Sequence, residues 1–109
     1  MFYTADFRYR RDYQHNDEIA ANQVLGRAEA DVEKILKNNK IKYKHAYSWP
    51  DGALKYIESD LPLNELQDFI QKAIDKMKGY VTQVFVSVAS PDENPFKFGC
   101  NTLAQYMKN

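Results

Sequence analysis

The chain has 109 residues, 44% hydrophobic and 28% charged, with fifteen Lys and Arg balancing fifteen Asp and Glu. That composition argues against a disordered or fibrous chain, and the balanced charge against a whole-molecule field for nucleic acid or an anionic membrane. A single Cys cannot close an internal disulfide, which speaks against a disulfide-built secreted scaffold. No apolar run approaches the roughly 18 residues needed to span a bilayer, and Met1 to Arg8 lacks the features of a signal peptide. The expectation is a soluble cytoplasmic protein of one domain, with no membrane partner.

Residues 2–13 open with a period-2 pattern: Tyr3, Ala5, Phe7 and Tyr9 fall on one side, Thr4, Asp6, Arg8 and Arg10 on the other, as in a half-buried strand. Val24, Leu25, Ala28, Val32, Ile35 and Leu36 then recur at helical spacing, predicting a helix over 17–38 capped by Asn16 or Asp17. Glu33 and Lys37 sit four apart on its solvated face, in the favourable order. Gly26 lies inside this helix, where ordinary tolerance explains it better than a close helix–sheet contact.

Ile41, Tyr43, His45, Tyr47 and Trp49 alternate with Lys42, Lys44, Ala46 and Ser48, giving a second strand that stops at Pro50-Asp51-Gly52. A third strand runs to about Ser59. Leu63, Leu66, Phe69, Ile70, Ala73, Ile74 and Met77 mark a second helix, with Asp60 or Asn64 as cap, Pro62 near its start and Lys76, Lys78 and Gly79 at its end. Tyr80 to Ala89 is a fourth strand with Val84, Val86 and Val88 on one face.

Strand, helix, strand, strand, helix, strand is the order of the ferredoxin-like split βαβ fold, which this chain resembles in topology. Right-handed crossovers then imply an antiparallel α+β sandwich of strand order 4-1-3-2, with both helices on one face. Residues 1–90 would form this core. Residues 91–109 would be an extension whose Phe96, Phe98, Leu103, Tyr106 and Met107 call for docking on the core or on a partner. The layout recurs among ribosomal proteins, RNA-recognition motifs, acylphosphatases, dimeric α/β-barrel enzymes and small inhibitors, so fold alone does not imply function.

The hairpin register decides which side chains reach the face opposite the helices. Trp49-Pro50-Asp51-Gly52 suits a type I turn with Gly52 left-handed and forming a bulge. Trp49 would then face Gly52 and Ala53, with Lys44 opposite Glu58 and Ala46 opposite Tyr56. In that register Lys42, Lys44, Leu54 and Tyr56 point to the open face with Arg8, Arg10 and Phe85, while Ile41, Tyr43, His45 and Tyr47 turn to the helices. A two-residue Asp-Gly turn would instead place His45 opposite Glu58 and reverse the faces of Leu54 and Tyr56.

Arg8, Arg10, Arg11, Lys42, Lys44, Tyr56 and Phe85 are thus the candidate binding residues. Cations neutralise phosphate and rings stack on unpaired bases, so single-stranded nucleic acid is one candidate partner. Yet Ala53-Leu54-Lys55-Tyr56-Ile57-Glu58-Ser59 does not match the third-strand motif of RNA-recognition motifs, and Asp6 shares the face. Catalytic signals are sparse. His15 reads as a solvated loop residue, His45 as a packed one and Cys100 as an inert thiol. Two His and one Cys make no zinc site of known spacing, the four glycines form no phosphate loop, and neither metal nor cofactor is expected.

The expected function is therefore association with another protein, with no catalytic residue, in the manner of small inhibitors such as immunity or phage counter-defence proteins. The alternatives are the nucleic-acid-binding module and a dimeric α/β-barrel enzyme or small-molecule binder using His45. A homodimer burying two open faces also stays open.

Overall fold

The computed structural model describes residues 1–10 and 18–90, apart from the side chains of residues 18–22 and 24. Its elements follow in the order β1 (Phe2–Tyr9), α1 (Glu18–Asn38), β2 (Lys42–Trp49), β3 (Gly52–Glu58), α2 (Leu63–Met77) and β4 (Val81–Val88). The sheet is antiparallel with order β2-β3-β1-β4, which makes this a ferredoxin-like βαββαβ fold. The first strand is shorter than its alternating pattern, ending at Tyr9, after which Arg10 N–H donates to the Tyr80 carbonyl at 2.9 Å. The proposed cap of α1, Arg11, His15, Cys100 and the extension all lie outside the described residues.

The core forms on one side of the sheet. Tyr3, Ala5, Phe7 and Tyr9 are buried against Ala28, Val32, Ile35 and Leu36 of α1 and Leu66, Ile70 and Ile74 of α2. Helix α1 ends as its asparagines suggest: Asn39 Nδ2 donates to the Ile35 carbonyl at 2.7 Å, and Lys40 takes a left-handed φ of 55°. Gly26 is exposed, with nothing within 4 Å of an added Cβ, so tolerance explains it. Helix α2 departs from expectation at its start. Neither Asp60 nor Asn64 caps it; Pro62 occupies the N-cap without a side-chain bond. Its other end falls at Lys76, Lys78 and Gly79 as expected, with Lys78 in the left-handed conformation. Gly79 leaves room for the Asp31 carboxylate, which a Cβ there would displace; that carboxylate accepts the Tyr80 N–H at 2.7 Å and ties the chain after α2 to α1.

Strand β4 is an edge, and α2 closes it. Gln67 accepts the Val86 N–H at 2.7 Å and donates to the Val84 carbonyl at 2.8 Å. Gln71 accepts the Val84 N–H at 3.1 Å and donates to the Thr82 carbonyl at 3.3 Å. Two side-chain amides one helical turn apart thereby stand in for the backbone of a further strand, satisfying the groups an edge otherwise presents to other chains.

The hairpin departs from the expected register while keeping most of its parity. Trp49 pairs with Gly52 across a loop of Pro50 and Asp51, Ser48 with Ala53 and Tyr47 with Leu54. His45 then pairs with Lys55, Lys44 with Tyr56 and Lys42 with Glu58. The extra residue is Ala46, inside β2, not the glycine of the turn. Pro50 cannot take a positive φ and Asp51 does not, so the tight loop lacks the mirror-image turn that matches strand twist. A bulge three residues upstream supplies twist that such a loop does not. Gly52 has no left-handed φ. It is needed because a Cβ would stand 2.5 Å from the Phe7 carbonyl oxygen.

Gly52→Ala is expected to destabilise the fold by about 1–3 kcal/mol, because the obstructing atom is backbone in the central strand. A urea midpoint equal to wild type would contradict this. Replacing Gln67 and Gln71 together by Ala is expected to cost about 2 kcal/mol and to raise self-association, read by urea unfolding and sedimentation.

Candidate functional site

The face opposite the helices is built by parity. Phe2, Thr4, Asp6 and Arg8 come from β1, Leu54, Tyr56 and Glu58 from β3, and Gln83, Phe85 and Ser87 from β4. Lys42 and Lys44 join them from β2, as expected. The bulge at Ala46 then reverses the remainder of β2, so Tyr47 and Trp49 also point to this face, contrary to the expectation that Tyr47 turns to the helices. Their rings meet edge to face with centroids 5.0 Å apart. Tyr47 is 52% exposed and Phe85 49%, one on each edge strand, about 14 Å apart across three strand spacings.

The face is less basic than its lysines and arginines suggest. Lys42 Nζ lies 2.9 Å from Glu58 Oε2, and Arg8 Nη2 lies 2.9 Å from Asp6 Oδ2. Tyr56 points to this face but is only 6% exposed, so it contributes packing more than contact area. Arg8, Arg10 and Phe85 come together with Tyr9, Asp51, Thr82 and Gln83 around an open cleft of about 570 Å³ at the hairpin end of the sheet. A register shift between Arg8 and Tyr9 against β4 shapes it. Arg8 there is paired with Asp6, and Asp51 adds a carboxylate to the cleft lining. Lys42, Lys44 and Tyr56 lie across the sheet from it, and Arg11 is outside the described residues.

A second constellation occupies the inward side of β2 and β3. Lys55 alternates with Ala53 and Ile57, which directs its ammonium under α1, where the residue is 3% exposed. Its Nζ lies 3.0 Å from His45 Nδ1, 3.9 Å from Glu33 Oε1 and 5.6 Å from the centre of the Tyr43 ring. An ammonium can only donate, so Nδ1 accepts and the neutral imidazole carries its proton on Nε2, 3.2 Å from Ser48 Oγ. Tyr43 Oη donates to Glu33 Oε2 at 2.5 Å, and Lys37 Nζ approaches the same oxygen at 3.2 Å. Glu33 is therefore a link between helix and sheet as well as the partner of Lys37, not merely a solvated residue.

The electrostatics follow from this crowding. Burial pushes Lys55 below its ordinary 10.5, opposed by Glu33 and then Glu29. Partial burial, reinforced by Lys55, holds His45 below 6.5, with Glu29 and Glu33 opposing. The Tyr43 hydroxyl holds Glu33 below 4.5, and burial, with the bond to Glu33, pushes Tyr43 up to about 12.

No family model matches the chain, and no curated protein is similar to it in sequence. Function has to be argued from the site. Among the described residues no group of three or more His, Cys, Asp or Glu could hold a metal ion, and no helix is long and apolar enough to cross a membrane. His45 is exposed at the edge strand, not packed as the alternation predicts; it lines none of the clefts around Arg8, Arg10 or Met77, and its ring nitrogens meet Lys55 and Ser48.

The sequence reading missed Lys55, Gln67 and Gln71. Lys55 was detectable as the polar residue at inward parity between Ala53 and Ile57, once Leu54 and Tyr56 were placed outward. The glutamines sit four apart beside the buried positions Leu66 and Ile70, a weak signal, because the same spacing occurs on solvated helix faces.

Tyr43 gives a test by its sign. A phenol raised above its ordinary 10.0 contributes stability that is present below 10 and lost as pH rises through about 12. Tyr43→Phe is expected to lower stability at neutral pH by about 1 kcal/mol, a modest figure because Glu33 is partly exposed, and to remove one tyrosine ionisation near pH 12 from an ultraviolet titration. A titration curve unchanged near pH 12 would contradict the assignment.

Proposed function

We propose that this protein acts by binding another protein through the rims of the open sheet face, with Tyr47 and Trp49 at one margin and Phe85 with Arg8 at the other. The supporting observation is the outward turn of the Tyr47–Trp49 pair, which leaves a large aromatic 52% exposed where a regular strand would have directed it inward. Tyr, Trp and Arg are the residues that most often anchor protein interfaces. Local pairing of Lys42 with Glu58 and Arg8 with Asp6 favours a protein surface over a phosphate backbone, since these two basic groups already face carboxylates. A small inhibitor that occludes a partner's surface fits this design.

The test is capture from the cell of origin with tagged wild-type protein and with Tyr47→Ala and Phe85→Ala variants, each with and without nuclease. The expected result is a nuclease-resistant protein partner whose affinity falls at least about tenfold in one or both variants, as anchor residues require. Capture abolished by nuclease, with binding that weakens steeply in salt, would support the nucleic-acid module instead. A partner retained equally by both variants would place the interface elsewhere.

A further inference from the structure

We propose that His45, held between Lys55 and Ser48, positions the Tyr47–Trp49 pair on the open face, and that protonation of His45 withdraws the pair, making this surface responsive to acid. The starting point is a parity argument. In an unbroken strand His45 and Ser48, three residues apart, point to opposite faces. Here both have inward parity, although His45 on the edge strand is itself exposed, and Nε2 reaches Ser48 Oγ at 3.2 Å, because Ala46 is an extra residue between them. The side-chain bond exists only with the bulge and favours it in return. Lys55 fixes the other end: its ammonium needs an acceptor, and His45 Nδ1 at 3.0 Å provides one.

The competing arrangement is close at hand. If Ala46 returned to the ladder, His45 could stay opposite Lys55 while Ala46 met Leu54, Tyr47 met Ala53 and Ser48 met Gly52. Trp49 would join Pro50 and Asp51 in a three-residue loop, another common hairpin length. One residue would pass from bulge to loop, Tyr47 would turn inward and Trp49 would leave the strand. The two registers share all pairs from Lys42 to His45 and differ beyond it in the bonds around the bulge and in the placement of the Tyr47 and Trp49 rings.

Protonation acts on those bonds. Imidazolium has no acceptor, so Nδ1 would confront the Lys55 ammonium across 3.0 Å as a second cation. Facing the pair are Glu29 and Glu33 from α1 and Tyr43 from β2. Glu33 already receives Tyr43 and Lys37, which limits what it can offer a further cation. The ring must leave Lys55, and with it the position from which Nε2 reaches Ser48. Burial and Lys55 both oppose the charged form, so the change is expected below the ordinary histidine value of 6.5.

The device belongs to the isolated protein; it depends on the association reading only for its consequence, so either can fail alone. Nuclear magnetic resonance on wild type, titrated from about pH 8 to about pH 5, follows the His45 ring together with cross-strand contacts of Tyr47. The expected result is loss of the Tyr47–Leu54 contact and gain of a Tyr47–Ala53 contact as the ring titrates. Fluorescence of Trp49, the single tryptophan, should change in parallel while the β1–β4 amides stay in place. Ser48→Ala should populate the second register at higher pH. His45→Gln, which keeps an acceptor for Lys55 and cannot charge, should hold the first register throughout. A Tyr47–Leu54 contact that survives titration of the His45 ring would overturn the proposal, as would an acid change that persists in His45→Gln with β1–β4 intact.

Discussion

The ammonium of Lys55 is the constraint around which the hairpin is arranged. A charged group that is 3% exposed is tolerated only when its donors are taken up, since removing an ion from water costs several kcal/mol. Three neighbours share that task. His45 accepts directly, Glu33 offers opposite charge from α1, and the Tyr43 ring presents its electron-rich face. Each comes from a different point along the chain, so the requirement ties the first helix to β2 and β2 to β3. It also pins β2 at His45, which leaves the bulge and the loop to absorb the chain between that point and Gly52.

That arrangement explains how β2 presents aromatics on a face to which alternation alone assigned only its lysines. Before Ala46, the inward positions of β2 are Tyr43 and His45. After it, the inward position is Ser48, and Tyr47 and Trp49 turn outward. A single unpaired residue thereby exchanges two large rings between core and surface. The helix side loses little, because Ala53 and Ser48 are small and the core rests on Tyr3, Phe7, Ile57, Leu66 and Ile70.

The two edges of the sheet are managed differently. At β4 the amides of Gln67 and Gln71 occupy the backbone groups of Thr82, Val84 and Val86, which discourages strand addition there. At β2 the strand carries Lys42, Lys44 and the bulge, devices that blunt an edge without covering it. Recognition through side chains of the open face suits such a sheet better than recognition through its backbone.

Composition, the period-2 and period-3.6 patterns and the Pro and Gly punctuation were enough to determine the six elements, their order and the ferredoxin-like topology. The inward set Tyr3, Ala5, Phe7 and Tyr9, the buried stripe of α2 and the outward parity of Lys42, Lys44, Leu54 and Tyr56 were legible for the same reason: side-chain direction within one element is a local property. The hairpin was read to the right parity except at Tyr47, with the bulge in the wrong place, because Pro50-Asp51-Gly52 is compatible with several loops and the choice among them rests on distant partners. Only the tertiary structure decided that Ala46 is the extra residue, that Gly52 is needed for the approach of Phe7, and that Lys55 is a buried cation. The grouping of Arg8, Arg10 and Phe85 in a single cleft, apart from Lys42, Lys44 and Tyr56, was likewise a matter of assembly. Those facts depend on which strands and helices meet, and a pattern within one segment carries no information about the groups that a different segment brings against it.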